Sequence, residues 1–393
     1  MEKVKIGVLG AGRGRTMMEY CRKSDNAELV AVCDMRAESL EKVRETGAAC
    51  YEDFDSFLRH DMDAVVLANY ANEHAPFAIR CLEAGKHVIS EVLPFQNMKE
   101  GVELIEAVER TGKLYAYAEN YCYMAAPREM RKLMREGKLG EFEYAEGEYV
   151  HNCEPGWTGL THGNDPAHWR NLMTSTFYCT HSIGPMIHIS GQRPVRVSGF
   201  ETPHNLRTMR MGAKGAPMAI EIVTLESGAI LKSLHGVGPS RNSVWYSVYG
   251  SLGRVESGRE SAGLGVDVLY ASLDEYEGEN AFRREVRCHP MDELSARAEN
   301  NGHGGSDFYT MYNFCEKVLG READVVDVYE ACDMFLPGLF AYRSILAGGA
   351  PMEIPDLRDP AQREKWRNDT ACTDPKAAGE MLWPNSVTPP RTK

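Results

Sequence analysis

The first 34 residues constrain the fold more than any other part of the chain. Val4-Lys5-Ile6-Gly7-Val8-Leu9 is a short β-rich run, and Gly10-Ala11-Gly12-Arg13-Gly14-Arg15 follows it directly. A helical stretch from about Thr16 to Arg22 comes next, then the apolar run Leu29-Val30-Ala31-Val32-Cys33, which ends at Asp34. Strand, glycine turn, helix, strand and terminal acid, in that order, is what a dinucleotide-binding βαβ unit requires. Gly10 permits the tight turn and Gly12 lets backbone approach a pyrophosphate, while the helix N-terminus offers it N–H groups and a positive dipole end. Asp34 stands where a carboxylate accepts hydrogen bonds from the adenosine ribose. That favours NAD over NADP, because a 2′-phosphate would meet a like charge, although Arg36 is close enough to soften the preference. The spacing departs from G-x-G-x-x-G: the third glycine would fall on Arg15, and Gly14 lies one place early.

The pattern continues regularly. Asp63 to Ala68 reads as a buried strand, His74 to Ala84 as a helix closed by Gly85, and Lys86 to Ser90 as another strand. Asn97 with Glu100 forms a capping box for a helix that stops at Gly112, and Leu114 to Ala118 closes the set. Alternating elements with short turns predict a doubly wound parallel sheet over residues 1–122. On this reading Gly10, Gly12, Arg13, Gly14, Arg15, Asp34, Arg36, Asn69, His74 and Glu91 face the cofactor. Arg13 and Arg15 are the candidates to help the glycine-loop amides meet the pyrophosphate, since the chain as a whole repels it. Its 57 acidic residues outnumber its 44 Lys and Arg, for a formal charge of −13. Such a balance argues against nucleic acid or an anionic membrane as partner.

Residues 123–393 read differently. Long alternating strands are expected at Glu141–Val150, Val195–Phe200, Ala219–Leu225, Ala229–Leu234 and Ser243–Tyr249, forming a mostly antiparallel sheet with one face covered. Helices are expected at Pro127–Glu136, about Asp307–Leu319 and Val326–Leu346, and an extended tail from about residue 355. Between His151 and Phe177 the chain looks irregular and polar, a length that inside a compact domain is functional or disordered. Its histidines and tryptophans favour function, and five of the 12 histidines of the chain fall between His151 and His188. His151, His162, His168 and Cys179 lack the spacing of a metal site, so no metal is expected. The 11 cysteines form no Cys-x-x-Cys pair, and no apolar run is long enough to span a membrane. The N-terminus leaves no room for a signal peptide before the first strand, so the expectation is a reduced, cytoplasmic protein.

Five short motifs carry a closer likeness: Glu119-Asn120-Tyr121-Cys122-Tyr123, Glu146 to His151, Trp169-Arg170, Tyr178 to Pro185 and Gly302 to Asp307. With the N-terminal unit, they make the chain resemble the Gfo/Idh/MocA oxidoreductases, closest to the NAD-dependent glycosidase branch, glycoside hydrolase family 109. The resemblance implies a Rossmann domain followed by an α/β domain with an open, mostly antiparallel sheet, NAD as cofactor, a carbohydrate substrate, and homo-oligomers through that sheet. The wider family carries Glu-Lys-Pro after the fifth strand and an Asp-x-x-x-His dyad. Here Glu91-Val92-Leu93-Pro94 has no lysine, and Tyr178 and His181 stand in the segment of the dyad.

By the same resemblance His181, Tyr178, Tyr149 and Glu119 are catalytic or sugar-contacting, and Trp169, Arg170, His151 and His303 line the substrate. The implied chemistry oxidises a ring hydroxyl, expected to be that on C3 of a pyranoside, acidifies C2–H, expels the C1 substituent by elimination, adds water and returns the hydride. Plain oxidation of a glycoside, with the keto-sugar passed to a separate lyase, begins with the same step. A non-catalytic NAD-binding sensor is the alternative of another class. Each residue also has a structural alternative, such as a core histidine at position 181, a packing tyrosine at 149 and a helix-entry turn at His303.

Overall fold

The computed structural model describes residues 2–238, 242–259, 268–275, 284–287, 293–298 and 301–387. Contacts divide the chain into two units. The first comprises Met1–Tyr123, Pro290–Cys332 and Arg363–Asp369, and the second Met124–His289, Asp333–Gln362 and Thr370–Lys393. The chain therefore enters the first unit three times, where the sequence suggested a single boundary near residue 122.

The first unit is built from β1 (Val4–Leu9), α1 (Arg15–Lys23), β2 (Ala27–Cys33), α2 (Ala37–Arg44), β3 (Ala49–Tyr51), α3 (Phe54–Leu58), β4 (Ala64–Leu67), α4 (His74–Glu83), β5 (His87–Ser90), α5 (Met98–Thr111) and β6 (Tyr115–Tyr117). All strands pair in parallel in the order β3-β2-β1-β4-β5-β6. The order reverses beside β1, so the connections leaving β1 and β4 diverge and open a crevice at the carboxyl ends of the strands. Local signals set the helix ends. Gly85 and Gly112 take φ of +79° and +62°, left-handed values that cost L side chains more. The Asn97 side chain accepts from Glu100 N–H at 3.0 Å, a cap worth about 1 kcal/mol. The Glu100 carboxylate accepts from the Gln96 N–H at 2.8 Å and from the Asn97 side-chain amide at 3.4 Å, so the box closes one residue early.

The second unit begins with α6 (Ala125–Arg135), β7 (Phe142–His151), α7 (Trp157–Leu160), α8 (Trp169–Leu172), α9 (Thr180–Ser190), β8 (Pro194–Glu201) and α10 (Leu206–Met211). It continues with β9 (Met218–Leu225), β10 (Ile230–Val237), β11 (Ser243–Gly250), β12 (Gly253–Ser257), β13 (Val268–Leu273) and β14 (Arg284–Arg287). After α11 (Glu293–Ala298) and α12 (Ser306–Val318) of the first unit come α13 (Val328–Leu346), β15 (Met352–Glu353), α14 (Pro360–Trp366) and α15 (Pro375–Ala378). The sheet runs β14-β13-β12-β11-β7-β10-β9-β8-β15, and every pair is antiparallel except β7 with β10. Helix α9 lies on one face of this sheet. A Cβ at Gly147 of β7 would stand 1.8 Å from the Ser182 carbonyl oxygen, so only glycine permits that approach.

Two expectations are corrected. Residues 151–177 are not structureless: they fold into short helical turns around Trp157, 1% exposed, whose indole N–H donates to Asn171 Oδ1 at 2.8 Å. The segment after residue 355 is not an extended tail either. It forms α14 and α15, and within the first unit Arg363 is buried against Glu109 at 2.7 Å while Arg367 meets Glu106 at 2.7 Å. The last six residues of that tail lie outside the described residues.

Candidate functional site

In the first unit the glycine loop follows β1. Gly10 has φ +96°, and a Cβ on it would stand 2.4 Å from the Ala68 carbonyl oxygen. Gly14 caps α1, and a Cβ there would lie 2.5 Å from both Gly10 O and Val8 Cγ1. Gly14 therefore performs the helix–strand packing expected of the third glycine, one residue early, which accounts for the departure at exposed Arg15. A Cβ on Gly12 would meet nothing, so its backbone is open to a ligand. No side chain caps the first turn of α1. Asp34, 6% exposed, accepts from Ala11 N–H at 2.9 Å and Arg36 N–H at 3.0 Å, which fixes its carboxylate at the end of β2. Arg36 Nε stands 3.6 Å from Asp34 Oδ1. These features fit a dinucleotide: an uncapped helix N-terminus and an open glycine for the pyrophosphate, and a held acid for the ribose.

Arg13 is differently employed from expectation. Its guanidinium meets Glu91 Oε1 at 2.7 Å and donates to Asp307 Oδ1 at 3.1 Å and Asp307 Oδ2 at 3.2 Å. With two carboxylates on it, Arg13 presents little net charge of its own. Asp307 opens α12 and is 1% exposed; Asn120 Nδ2 donates to it at 2.9 Å, and His303 Nδ1 lies 3.0 Å away. Burial alone would raise this carboxyl, but the His303 hydrogen bond and the Arg13 charge outweigh it and hold it well below the usual carboxylate range. Asp307 ends the motif Gly302 to Asp307, yet no spacing in the sequence ties it to Arg13, 294 residues away. His303, named as a substrate contact, thus stands in a network anchored on the glycine loop.

His74 and Glu119 are also placed. His74 is 1% exposed with Nδ1 2.8 Å from Leu93 O, and burial pushes its pKa down to about 4, so it braces the loop after β5 as a neutral ring. Asn69 follows β4, and its Nδ2 lies 3.4 Å from Glu73. Glu119, fully buried after β6, accepts from Tyr121 N–H at 3.3 Å. It belongs to the first unit, whereas Tyr149, Tyr178 and His181 belong to the second.

In the second unit those three converge. Tyr149 comes from β7, His181 from the first turn of α9, and Tyr178 from the turn just before it. The His181 ring lies 4.8 Å from Tyr149 and 5.2 Å from Tyr178, edge-on to both, and the two tyrosines stack at 6.2 Å. Trp169 stacks on Tyr178 at 6.4 Å and 18°, and Arg170 lies over both rings, 4.4 Å and 5.7 Å from their centroids. The row extends through His168, 5.9 Å from Trp169, to His162, and on the other side to His151, 5.7 Å from Tyr149. Burial, with the Arg170 charge, lowers the His168 pKa to about 4, so that ring is neutral. His188, the fifth of the clustered histidines, lies deeper in α9. Flat ring faces suit the C–H face of a pyranose, while phenol and imidazole can hold and move protons.

Fold and site together define an NAD-binding oxidoreductase with a second, sheet-based domain. Residues 4–119 match the family model of the Gfo/Idh/MocA oxidoreductases with an NAD-binding Rossmann fold, and residues 227–368 that of the glycosyl hydrolase 109 C-terminal domain. The chain thus carries an NAD-binding domain of the Gfo/Idh/MocA type followed by a C-terminal domain of the glycosyl hydrolase 109 type. It is 25% identical to a glycosyl hydrolase family 109 protein of Saccharopolyspora erythraea, over 96% of this chain and 87% of that protein. It is 23% identical to an α-N-acetylgalactosaminidase of Shewanella oneidensis, over 91% of this chain and 85% of that protein. A levoglucosan dehydrogenase solved with NADH and levoglucosan shares the fold, with a TM-score of 0.75 at 17% identity, covering 90% of this chain and all of that one.

Proposed function

We propose that this protein oxidises a hydroxyl of a pyranoside, the one on C3, with NAD, and completes cleavage of the glycoside by elimination, hydration and return of the hydride to C3. The observation that carries the reading is the convergence of Tyr149, Tyr178 and His181 beside the Trp169–Arg170 stack. The glycosidase name of the relative in Shewanella oneidensis supports it. When bound, NAD supplies a hydride acceptor. Gly10, Gly12, Gly14 and Asp34 would hold it, with Glu91 and Asn69 at the neighbouring strand ends. His181 serves as proton acceptor, and the phenols of Tyr149 and Tyr178 donate to oxygens that gain charge as C2–H is removed. Trp169 and Arg170 orient the ring, with His151 at the far end of the row. Glu119 and His303, from the first unit, are assigned to the same reaction by resemblance.

The reading extends to two further points. Phe200, Ile222 and Ile230, 50%, 37% and 42% exposed, lie on the sheet face away from α9 and favour a homo-oligomer through that face. The ten described cysteines are all free thiols, which favours a reducing compartment such as the cytoplasm; Cys288 lies outside the described residues. Among the described residues no helix is long and apolar enough to cross a membrane.

The test is incubation with NAD and a panel of aryl glycosides, following aglycone release, net cofactor reduction and deuterium uptake at C2. Release without net reduction, with deuterium at C2, is the expected result. Stoichiometric reduction with the glycoside intact would instead make the protein a plain glycoside dehydrogenase, and silence across the panel a sensor. His181→Ala should lower turnover by about 10²–10⁴ with NAD affinity within a few-fold. Loss of NAD binding in that variant would overturn the placement of His181 at the sugar.

A further inference from the structure

A single rung crosses five strands of the second unit. Gly199 of β8 pairs with Glu221 of β9, Glu221 with Ser233 of β10, Ser233 with Gly147 of β7, and Gly147 with Tyr246 of β11. The two glycines let helices come close: a Cβ on Gly199 would stand 2.5 Å from the Ala341 carbonyl oxygen of α13, as one on Gly147 would meet Ser182 of α9. Between them lie polar side chains removed from water, with Glu221 at 0%, Ser233 at 1% and His235 at 1% exposure. Glu221 Oε2 lies 3.6 Å from His235 Nδ1, and His235 Nδ1 lies 3.4 Å from Ser233 Oγ. Neither oxygen of Glu221 has a donor at hydrogen-bonding geometry. A buried acid so placed destabilises the fold, so packing alone does not account for it.

The rung leads to the first turn of α9. Ser233 Oγ and Ser182 Oγ share a hydrogen bond at 2.7 Å, and Ser182 Oγ donates to Cys179 O at 2.8 Å. One strand further, Tyr246 O–H donates to the His181 carbonyl at 2.5 Å. The row on this sheet face therefore grips the turn that carries Tyr178 and His181.

We propose that Glu221, Ser233 and His235 are positioning residues that fix the Tyr178–His181 turn through Ser182. The inference rests on the function proposed above for those two side chains. It requires an uncharged row, because a lone carboxylate here would draw the Ser233 hydroxyl to itself and away from Ser182. Burial pushes the Glu221 carboxyl up to about 8, against a smaller opposite pull from Ser233, and lowers His235 to about 4, so both are neutral at pH 7.

The experiment compares Glu221→Gln, Glu221→Met and Ser233→Ala in the full-length protein with NAD, reading kcat, KM, Tm and hydrogen exchange of residues 175–182. Glu221→Met removes the orphaned acid in favour of an apolar group of similar length, so Tm should hold or rise while kcat falls about tenfold or more at little-changed KM. Glu221→Gln, neutral and of the same shape, should stay within about threefold of the parent. Ser233→Ala should follow Glu221→Met in kcat, and both should speed exchange in 175–182. A lower Tm with unchanged kcat, KM and exchange in Glu221→Met would reduce the row to packing and overturn the proposal. If the parent turns over no glycoside, the functional reading falls, while the exchange data still decide whether the row holds the turn.

Discussion

Asp307 and Glu221 are both carboxylic acids shut away from water, 1% and 0% exposed, and they end in opposite states. Asp307 has Arg13, Asn120 and His303 around it, and its carboxyl is held well below the usual range. Glu221 faces a neutral imidazole and a serine, and its carboxyl is pushed up to about 8. Burial acts in the same direction on both, so the difference lies in the partners. The first acid ties a helix entry to the glycine loop by charge. The second sits uncharged under the turn of His181 and works only through hydroxyls.

The comparison is broken most directly by removing each charge in turn. Asp307→Asn leaves Arg13 with Glu91 alone and should cost about 2–3 kcal/mol in urea unfolding, less than a fully buried pair because Arg13 is a third exposed. Glu221→Gln replaces a group already uncharged, spares the proton uptake that folding demands of it, and should leave stability at pH 7 unchanged or raised. Equal losses would show that the two acids share one state. A subtler change leaves Asp307 intact but displaces it. A Cβ on Gly302 would stand 2.3 Å from Asp307 Oδ2 and 2.8 Å from Thr16 Cγ2, so Gly302→Ala should cost about 1–2 kcal/mol and weaken NAD binding severalfold, as titration calorimetry would record. Unchanged affinity would separate the Asp307 network from the cofactor loop.

How far the sequence alone reaches differs between these same regions. The βαβ unit, the Gly85 and Gly112 stops, the Asn97 cap and the five alternating strands are local patterns, and each is found where expected. The short α2, β3 and α3 and the strands β12 to β14 carry too few residues for a period to declare itself. The return of α12 to the first unit, and with it the Arg13–Asp307 pair, depends on contacts across nearly 300 residues. Nothing local encodes such a contact. Residues 151–177 look irregular because their order comes from side-chain bonds such as Trp157 to Asn171, not from a repeating backbone pattern. Glu221 is the reverse case. The alternation Ala219, Glu221, Val223, Leu225 already places it on the apolar face of β9, a signal that a reading of glutamate as solvated passes over. The Tyr149, Tyr178 and His181 set came from resemblance, and the structure adds that their rings touch.

The finest test of the contrast is the dependence of stability on pH. The folded-state pKa of Asp307 lies below its unfolded value of about 3.9, so its contribution is fully present above that value and fades only as pH falls through the folded one. It gives no slope between pH 5 and 8. Glu221 has the opposite sign. Its folded value of about 8 lies above an unfolded value of about 4.3, so the folded state keeps a proton that the unfolded state has lost. Its contribution is present in full below the unfolded pKa, declines as pH rises towards 8 and is level beyond. The slope is at most about 1.4 kcal/mol per pH unit. Asp333, raised by burial to about 6, titrates in the same window, but it does so equally in a Glu221→Gln variant and cancels in the difference. Denaturant unfolding of both proteins from pH 5 to 9 should therefore show the variant gaining on the parent up to about pH 8, with the gap constant above it. Parallel curves across that range would mean that Glu221 is ionised in the folded protein, and the distinction from Asp307 would be lost.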